Sequence, residues 1–124
     1  MISHIHSTTI TVSDQDAALD FYVNTLGFEK AMDAQMGEEM RFLTVVPAGA
    51  TTQLVLADPS WAPSGLKPGG QTGISFSTHD IDVTYQTLTE RGVKFKQPVE
   101  VMPWGGKATW FYDPDGNEFF LAEE

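Results

Sequence analysis

The feature that most constrains this chain is an order of elements that occurs twice. A strand over residues 5–12, rich in β-branched residues, precedes a helix that Ser13 or Asp14 can cap and that Gly27 can end. The second half repeats this order with a strand at 73–78, Asp80 and Gly92. A unit of about 65 residues is too small to cover its own sheet, so the repeat predicts two similar modules that build one core.

The hydrophobic pattern assigns elements to each half. We predict helices over about 15–26 and 80–90, and strands over 5–12, 28–31, 40–46, 51–57, 73–78, 93–97, 108–112 and 118–122. The Pro- and Gly-rich segment 58–72 is predicted to link module one, 1–57, to module two, 73–124, within a single domain. The expected class is α+β, with two βαβββ modules that form an open, cupped mixed sheet and carry their helices on its outer face.

Composition excludes several classes of function. Seventeen acidic residues against seven basic ones give a net charge of −10, which repels nucleic-acid backbones and anionic lipid surfaces. The 124 residues contain no cysteine and no apolar run of membrane-spanning length. We therefore expect a cytoplasmic protein without a nucleic-acid or membrane partner.

The concave inner face of the sheet is the expected ligand site, because it combines polar and aromatic side chains. Strand alternation places on it Ser7, Thr9, Thr11, Gln53, Val55, Gly73, Ser75, Ser77, Trp110 and Phe120.

Three segments resemble one known family. They are ITVSDQDAALDFYVNTLGFE near the start, GISFSTHDID at the midpoint, and FYDPDGNEFFLAEE at the end, whose DPDGN is also a strong turn sequence. Together they resemble the glyoxalase, bleomycin-resistance and extradiol-dioxygenase superfamily, also called the vicinal oxygen chelate (VOC) fold. The resemblance implies paired βαβββ modules, a homodimer and, in the metal-dependent branches, a divalent metal.

The resemblance also locates the four metal-ligand positions of the family. They fall on Ser7, Gln53, Gly73 and Phe120, of which only Gln53 offers a plausible donor. No cofactor is therefore expected. A divalent metal (Ni, Zn, Fe or Mn) enters only under an alternative in which Gln53, Glu118 and a histidine act as ligands.

The histidines offer little support for that alternative. His4 and His6 share the strand parity assigned to the helix side, and His79 stands at the entrance of the second helix. A structural or terminal role is favoured for all three.

Aromatic residues are the remaining candidates for ligand binding. Trp61 and Trp104 lie in predicted loops, where they would form a pocket rim or a dimer interface. Trp110 and Phe120 either line the cavity or simply fill it. Together with Ser7, Thr9, Gln53 and Ser75 they form the predicted ligand-binding set, and Glu118 is a weak candidate for a general base.

Three functions follow from these observations. The leading hypothesis is a metal-independent protein of the glyoxalase/bleomycin-resistance type that sequesters a cationic or aromatic small molecule, which leaves enzymatic activity doubtful. The alternative is a metal-dependent lyase, similar to lactoylglutathione lyase, or a dioxygenase with nonstandard ligands. The third is an interaction module whose cavity is filled.

Overall fold

The computed structural model describes residues 1–63 and 65–124, which form two compact units. Unit 1 is Met1–Gly69 and unit 2 is Gly70–Glu124. Each unit has its own sheet and its own helix.

Unit 1 follows the predicted order of one strand, one helix and three strands. Its elements are β1 (Ser7–Thr11), α1 (Gln15–Asp20) with a π-helical continuation (Phe21–Thr25), β2 (Glu29–Met36), β3 (Met40–Val46) and β4 (Gln53–Ala57). The sheet order is β1-β4-β3-β2, with β1 parallel to β4 and the other neighbours antiparallel. The sheet is therefore open, with β1 and β2 at its edges.

Unit 2 repeats this topology. Its elements are β5 (Gly70–Thr78), α2 (Ile81–Glu90), β6 (Lys94–Phe95), β7 (Glu100–Val101), β8 (Lys107–Tyr112) and β9 (Asn117–Glu123). The order is β5-β9-β8-β6, with β5 parallel to β9 and the short β7 also pairing with β8. The internal repeat in the sequence thus corresponds to a repeated sheet.

Each helix packs on one face of the sheet in its own unit. α1 contacts β4 and α2 contacts β9. On these faces lie fully or almost fully buried side chains, such as Ile10 and Leu56 in unit 1 and Phe119 and Leu121 in unit 2. Strand alternation leaves the opposite face of each sheet to a different set of side chains, which includes the predicted site residues.

The first helix differs from the prediction in its second half. The α-helix was expected to run to Leu26, but it ends at Asp20 and continues as a π-helical turn in which the Leu26 amide donates to the Phe21 carbonyl at 3.0 Å. The wider turn accompanies the complete burial of Tyr22, which packs edge-on against Phe21. A spacing of four residues, as between Tyr22 and Leu26, is compatible with an α-helical or a π-helical turn, so periodicity did not reveal it.

The segment between the modules is shorter than predicted. β5 begins at Gly70 rather than Gly73, because Gly70 and Gln71 pair with Asn117 and Glu118 of β9. The ladder then shifts register before Ser75, and Gly73 in this bulge has a φ of +73°. The glycines of this segment indicated a loop. The strand nevertheless includes Gly70 and Gln71, because β9 supplies their pairing partners.

Smaller differences concern other strand boundaries. β2 extends to Met36, beyond the predicted end at residue 31, because β3 pairs with it along its whole length. The strand predicted over 93–97 is limited to Lys94–Phe95, and the short β7 was not predicted. The ends of these strands depend on the strands with which they pair, which the sequence of a single segment does not specify.

Candidate functional site

A cavity of about 180 Å³ lies on the face of the unit 2 sheet opposite the α2 side; we call it the unit 2 cavity. It is lined by Gln71, Gly73, Ile74, Ser75, Trp110, Glu118 and Phe120. The strand register explains the grouping, because Phe120 in β9 is paired with Ser75 in β5 and with Trp110 in β8. Paired residues point to the same face of a sheet.

Three aromatic rings adjoin the unit 2 cavity. The Phe120 ring lies 5.0 Å from that of Trp110 and 6.3 Å from that of Trp104, centroid to centroid. Trp104 is 68% exposed and stands in the turn between β7 and β8, which is closed by a 2.8 Å hydrogen bond from the Gly105 amide to the Met102 carbonyl. Such tilted, partly accessible rings can stack on a flat ligand.

Glu118 is the acidic group of the unit 2 cavity, but its charge is already compensated. Its side chain is only 10% exposed, and one carboxylate oxygen lies 3.6 Å from Lys96 Nζ. The same ammonium group lies 5.8 Å from the centroid of the Trp110 ring. A cation of the chain itself therefore occupies the position that a cationic ligand would need.

Unit 1 presents a second set of residues, which we call the Gln53 face: the predicted Ser7, Thr9, Gln53 and Val55, together with Thr44. Register pairs Ser7 with Gln53, and pairs Val55 with both Thr9 and Thr44. Thr44 is fully buried, and its hydroxyl donates to Gln53 Oε1 at 2.8 Å. The Gln53 amide is thereby fixed by a side chain that was not predicted to belong to the site.

Trp61 packs against this part of unit 1. Its ring centroid lies 6.2 Å from that of Phe42, which is two residues before Thr44 in β3 and so on the same face. Its indole Nε1 is buried, and no described residue accepts its hydrogen. A turn positions Trp61, because the Asp58 carbonyl accepts hydrogen bonds from the amides of Trp61 and Ala62.

The four positions that the family resemblance assigns to metal ligands do not fit a metal ion. Ser7 and Gln53 are cross-strand neighbours in unit 1, but the Gln53 oxygen accepts the Thr44 hydrogen bond. In unit 2, Gly73 has no side chain and Phe120 offers no donor atom. Among residues 1–63 and 65–124, no three histidine or carboxylate side chains are grouped so that they could hold a metal.

The described residues show no hydrogen bond or ion pair between a histidine side chain and either set of residues, although the His6 backbone carbonyl accepts from the Gln53 backbone amide at 2.9 Å. His4 and His6 precede β1 and are exposed, and His4 Nδ1 lies 2.9 Å from the Ser3 hydroxyl. His79 follows β5, where its Nδ1 lies 2.9 Å from a Glu124 carboxylate oxygen. None of the three lines the unit 2 cavity.

The structure thus assembles the predicted residues into two groups. Ser75, Trp104, Trp110, Glu118 and Phe120 belong to unit 2, whereas Ser7, Thr9, Gln53 and Trp61 belong to unit 1. The prediction missed Gln71 and Ile74, which lay in or beside a presumed loop. It also missed Lys96 and Thr44. The β3 alternation could have indicated Thr44 as an inward polar residue.

Comparison with known proteins identifies the family. Residues 4–121 match the Glyoxalase/Bleomycin resistance protein/Dioxygenase superfamily. The chain belongs to this superfamily. The family resemblance and the α+β fold with two open sheets are both confirmed.

Among solved structures, a superfamily member from Sphaerobacter thermophilus DSM 20745 is 66% identical, with a TM-score of 0.95 and coverage of 99% of this chain and 98% of that chain. TnmS3, an antibiotic binding protein from Streptomyces sp. CB03234, is 42% identical, with a TM-score of 0.85 and coverage of 98% and 96%.

A curated relative is YetH, an uncharacterized protein of Bacillus subtilis (strain 168). It is 36% identical over 126 residues, which cover 99% of this chain and all of YetH. In the described part of this superfamily member, no helix is long and apolar enough to cross a membrane.

Proposed function

We propose that this superfamily member binds and sequesters an aromatic small molecule without a metal. The observation that carries the proposal is the unit 2 cavity, which Trp110 and Phe120 line beside a compensated carboxylate, with the exposed Trp104 ring next to Phe120. The 42% identity to an antibiotic binding protein supports a binding role. The proposal includes cytoplasmic sequestration by a homodimer.

Binding can be measured by quenching of tryptophan fluorescence and by titration calorimetry against a panel of flat aromatic and cationic compounds. We expect Trp110→Leu to weaken binding of any ligand found by about tenfold, equivalent to ~1.4 kcal/mol, because a stacking surface is lost. Val83→Ala is the matched control, since Val83 is an exposed apolar residue on α2. If no compound in the panel binds, sequestration is refuted.

Metal independence has its own test. The protein is purified without chelator, its metal content is measured, and ligand binding is repeated after treatment with EDTA. We expect unchanged binding, because Gly73 and Phe120 offer no ligand atom. Stoichiometric Ni, Zn, Fe or Mn, with binding lost on chelation, would instead favour the lyase or dioxygenase alternative.

The homodimer is supported by exposed apolar side chains. Met32 and Met36 on the edge strand β2, and Val101 in unit 2, are all more than 40% exposed. Light scattering should give twice the chain mass of 13.6 kDa. A monomer at micromolar concentration would contradict this part of the proposal.

A further inference from the structure

We propose that the Glu118 carboxylate of the unit 2 cavity accepts a hydrogen bond from a hydroxyl group of the ligand. The inferred ligand class is a neutral, flat aromatic compound that carries a hydroxyl group on its ring system. This inference rests on the proposed function and adds to it the group by which the ligand is selected. All residues that carry it belong to unit 2.

The Glu118 carboxylate has unused capacity to accept hydrogen bonds. Its side chain is 10% exposed and lines the unit 2 cavity, and Lys96 Nζ lies 3.6 Å from Oε1, too far for a hydrogen bond. Its register partners, Gln71 in β5 and Tyr112 in β8, both carry donors. Neither they nor any other residue within 1–63 and 65–124 donates to either carboxylate oxygen. A ligand that brings a donor therefore satisfies a carboxylate that the protein leaves open.

Lys96 adds a donor to this acceptor. Because its Nζ and Glu118 Oε1 are 3.6 Å apart, one hydroxyl oxygen can lie about 2.8 Å from both. A hydroxyl group donates and accepts at once, so it can bind both members of the ion pair. An ether or ketone oxygen only accepts, and an unsubstituted aromatic ring does neither. The ion pair therefore favours a hydroxyl group over these alternatives.

The same ion pair disfavours a cationic ligand. Lys96 compensates Glu118 and also lies 5.8 Å from the centroid of the Trp110 ring. A cationic ligand would have to displace an ammonium group that already serves the carboxylate and the ring. A neutral compound adds a hydrogen bond without a second positive charge.

The bulge of β5 provides room for the ligand. The Thr72 hydroxyl accepts from the Ile74 amide at 3.1 Å and donates to the Glu118 backbone carbonyl at 2.8 Å, which holds the bulge against β9. Gly73, between Thr72 and Ile74, lines the cavity without a side chain, and a Cβ atom there would contact nothing within 4 Å. A ligand thus has space over Gly73, in the cavity that Glu118 lines.

The aromatic residues set the distance between the ring system and the hydroxyl group. Phe120 follows Glu118 by two residues on β9, so the two side chains share a face and lie about 7 Å apart along the strand. Trp110 is the register partner of Phe120. A hydroxyl group on the end ring of a tricyclic compound can therefore reach Glu118 while the other rings contact Phe120 and Trp110.

The test compares fluorene, 2-hydroxyfluorene, 2-methoxyfluorene and the planar cation proflavine. The methoxy compound keeps the oxygen but has no donor. We expect wild-type protein, in equilibrium dialysis, to bind 2-hydroxyfluorene about tenfold more tightly than fluorene or 2-methoxyfluorene, as one hydrogen bond to a charged group predicts.

Variants of Glu118 assign this preference to the carboxylate. Glu118→Met keeps the length of the side chain but removes the acceptor, so it should bind fluorene as wild type does and lose the hydroxyl preference. Glu118→Gln keeps one neutral acceptor oxygen and should reduce the preference to about threefold. Glu90→Met, the same substitution at an exposed position of α2, is the matched control and should keep the preference.

Lys96→Met tests the charge argument. This variant leaves Glu118 and the Trp110 ring without their cation, so it should bind proflavine about fivefold more tightly than wild type does. Unchanged proflavine binding in Lys96→Met, or tighter binding of proflavine than of 2-hydroxyfluorene by wild type, would overturn the neutral ligand class.

The remaining outcomes separate this inference from the proposed function. Equal binding of 2-hydroxyfluorene and 2-methoxyfluorene, or a hydroxyl preference that survives in Glu118→Met, would overturn the role of Glu118 and leave aromatic sequestration standing. If Glu118→Met failed to fold, an undiminished preference in Glu118→Gln would overturn it equally. If none of the four probes bound, this inference would be overturned, and the wider panel of compounds described above would decide on sequestration.

Discussion

Asp113 holds the turn between β8 and β9 through both of its carboxylate oxygens. Oδ1 accepts from the amides of Asp115 and Asn117, each at 2.9 Å, and Oδ2 accepts from Asn117 Nδ2 at 2.8 Å. Asp113 and Asn117 are 5% and 2% exposed. The DPDGN sequence is therefore a buried hydrogen-bonded unit, and it fixes where β9, with Glu118 and Phe120, begins.

We predict that Asp113→Ala lowers the free energy of unfolding by about 2–4 kcal/mol, because buried donors of Asn117 lose their acceptors. Urea unfolding followed by circular dichroism measures this. Pro114→Ala, at an exposed position of the same turn, is the control and should cost less than about 1 kcal/mol. Equal effects of the two substitutions would mean that chain stiffness, rather than the carboxylate, stabilises the turn.

Arg41 and Asp33 give a prediction about acid stability. Arg41 contacts Asp33 through two 2.9 Å hydrogen bonds, and this contact holds the pKa of Asp33 below its ordinary value of 3.8. A depressed pKa in the folded state stabilises the fold above pH 3.8, and this contribution is lost as the pH falls through the folded-state pKa.

Asp33→Asn should therefore lose less unfolding free energy than wild type between pH 5 and about pH 2. Chemical denaturation at several pH values tests this, with Glu29→Gln on the same strand as the matched control. Parallel pH profiles of wild type and Asp33→Asn would contradict it.

The two helices begin in the same way, which is the clearest trace of the repeat at the level of elements. The Asp14 carboxylate accepts from the Ala17 amide at 3.1 Å, and the Asp80 carboxylate accepts from the Val83 amide at 3.2 Å. The sequence left Ser13 and Asp14 open as caps, and the structure selects Asp14. Local chemistry of this kind could be predicted because donor and acceptor lie three residues apart.

We predict that Asp14→Ala and Asp80→Ala each lower the free energy of unfolding by about 1 kcal/mol, whereas Asp→Ser at either position costs a few tenths, since serine also accepts a hydrogen bond at a helix start. Guanidinium unfolding of the four variants makes the comparison. Equal losses for alanine and serine would show that capping is not the source of stability.

The elements that were mispredicted depend on burial or on strand pairing rather than on local spacing. The π-helical turn accompanies burial of Tyr22, and the early start of β5 needs the edge of β9. Neither is encoded in local spacing. In β1, β4, β8 and β9 the observed register agrees with the predicted faces, because alternation is a local property and pairing between strands preserves it. In β5 the bulge places Ile74 at the unit 2 cavity beside Ser75, against the predicted alternation.

At the scale of the molecule, the duplication allowed the fold to be predicted from sequence, and three sequence segments allowed the family to be predicted. Candidate residues such as Gln53, Trp110 and Phe120 were also predicted, because a face is determined by parity. The partner that neutralises Glu118 could not be predicted, since Lys96 follows β6, which is separated from β9 by β8 in the sheet. The Thr44 hydrogen bond that orients Gln53 could not be predicted either. The net charge of a site and the direction of its hydrogen-bond donors depend on such contacts between segments that are distant in sequence.

The bulge at Gly73 also limits the substitutions that this position tolerates. Space exists for a side chain there, since a Cβ atom would contact nothing within 4 Å, but the backbone has a φ of +73°. A histidine at this position would cost about 1–2 kcal/mol in backbone strain. Replacement of Gly73 by histidine would therefore have to change the backbone conformation of the bulge as well as supply an imidazole. At this position the backbone conformation, as well as the lack of a side chain, disfavours a metal ligand.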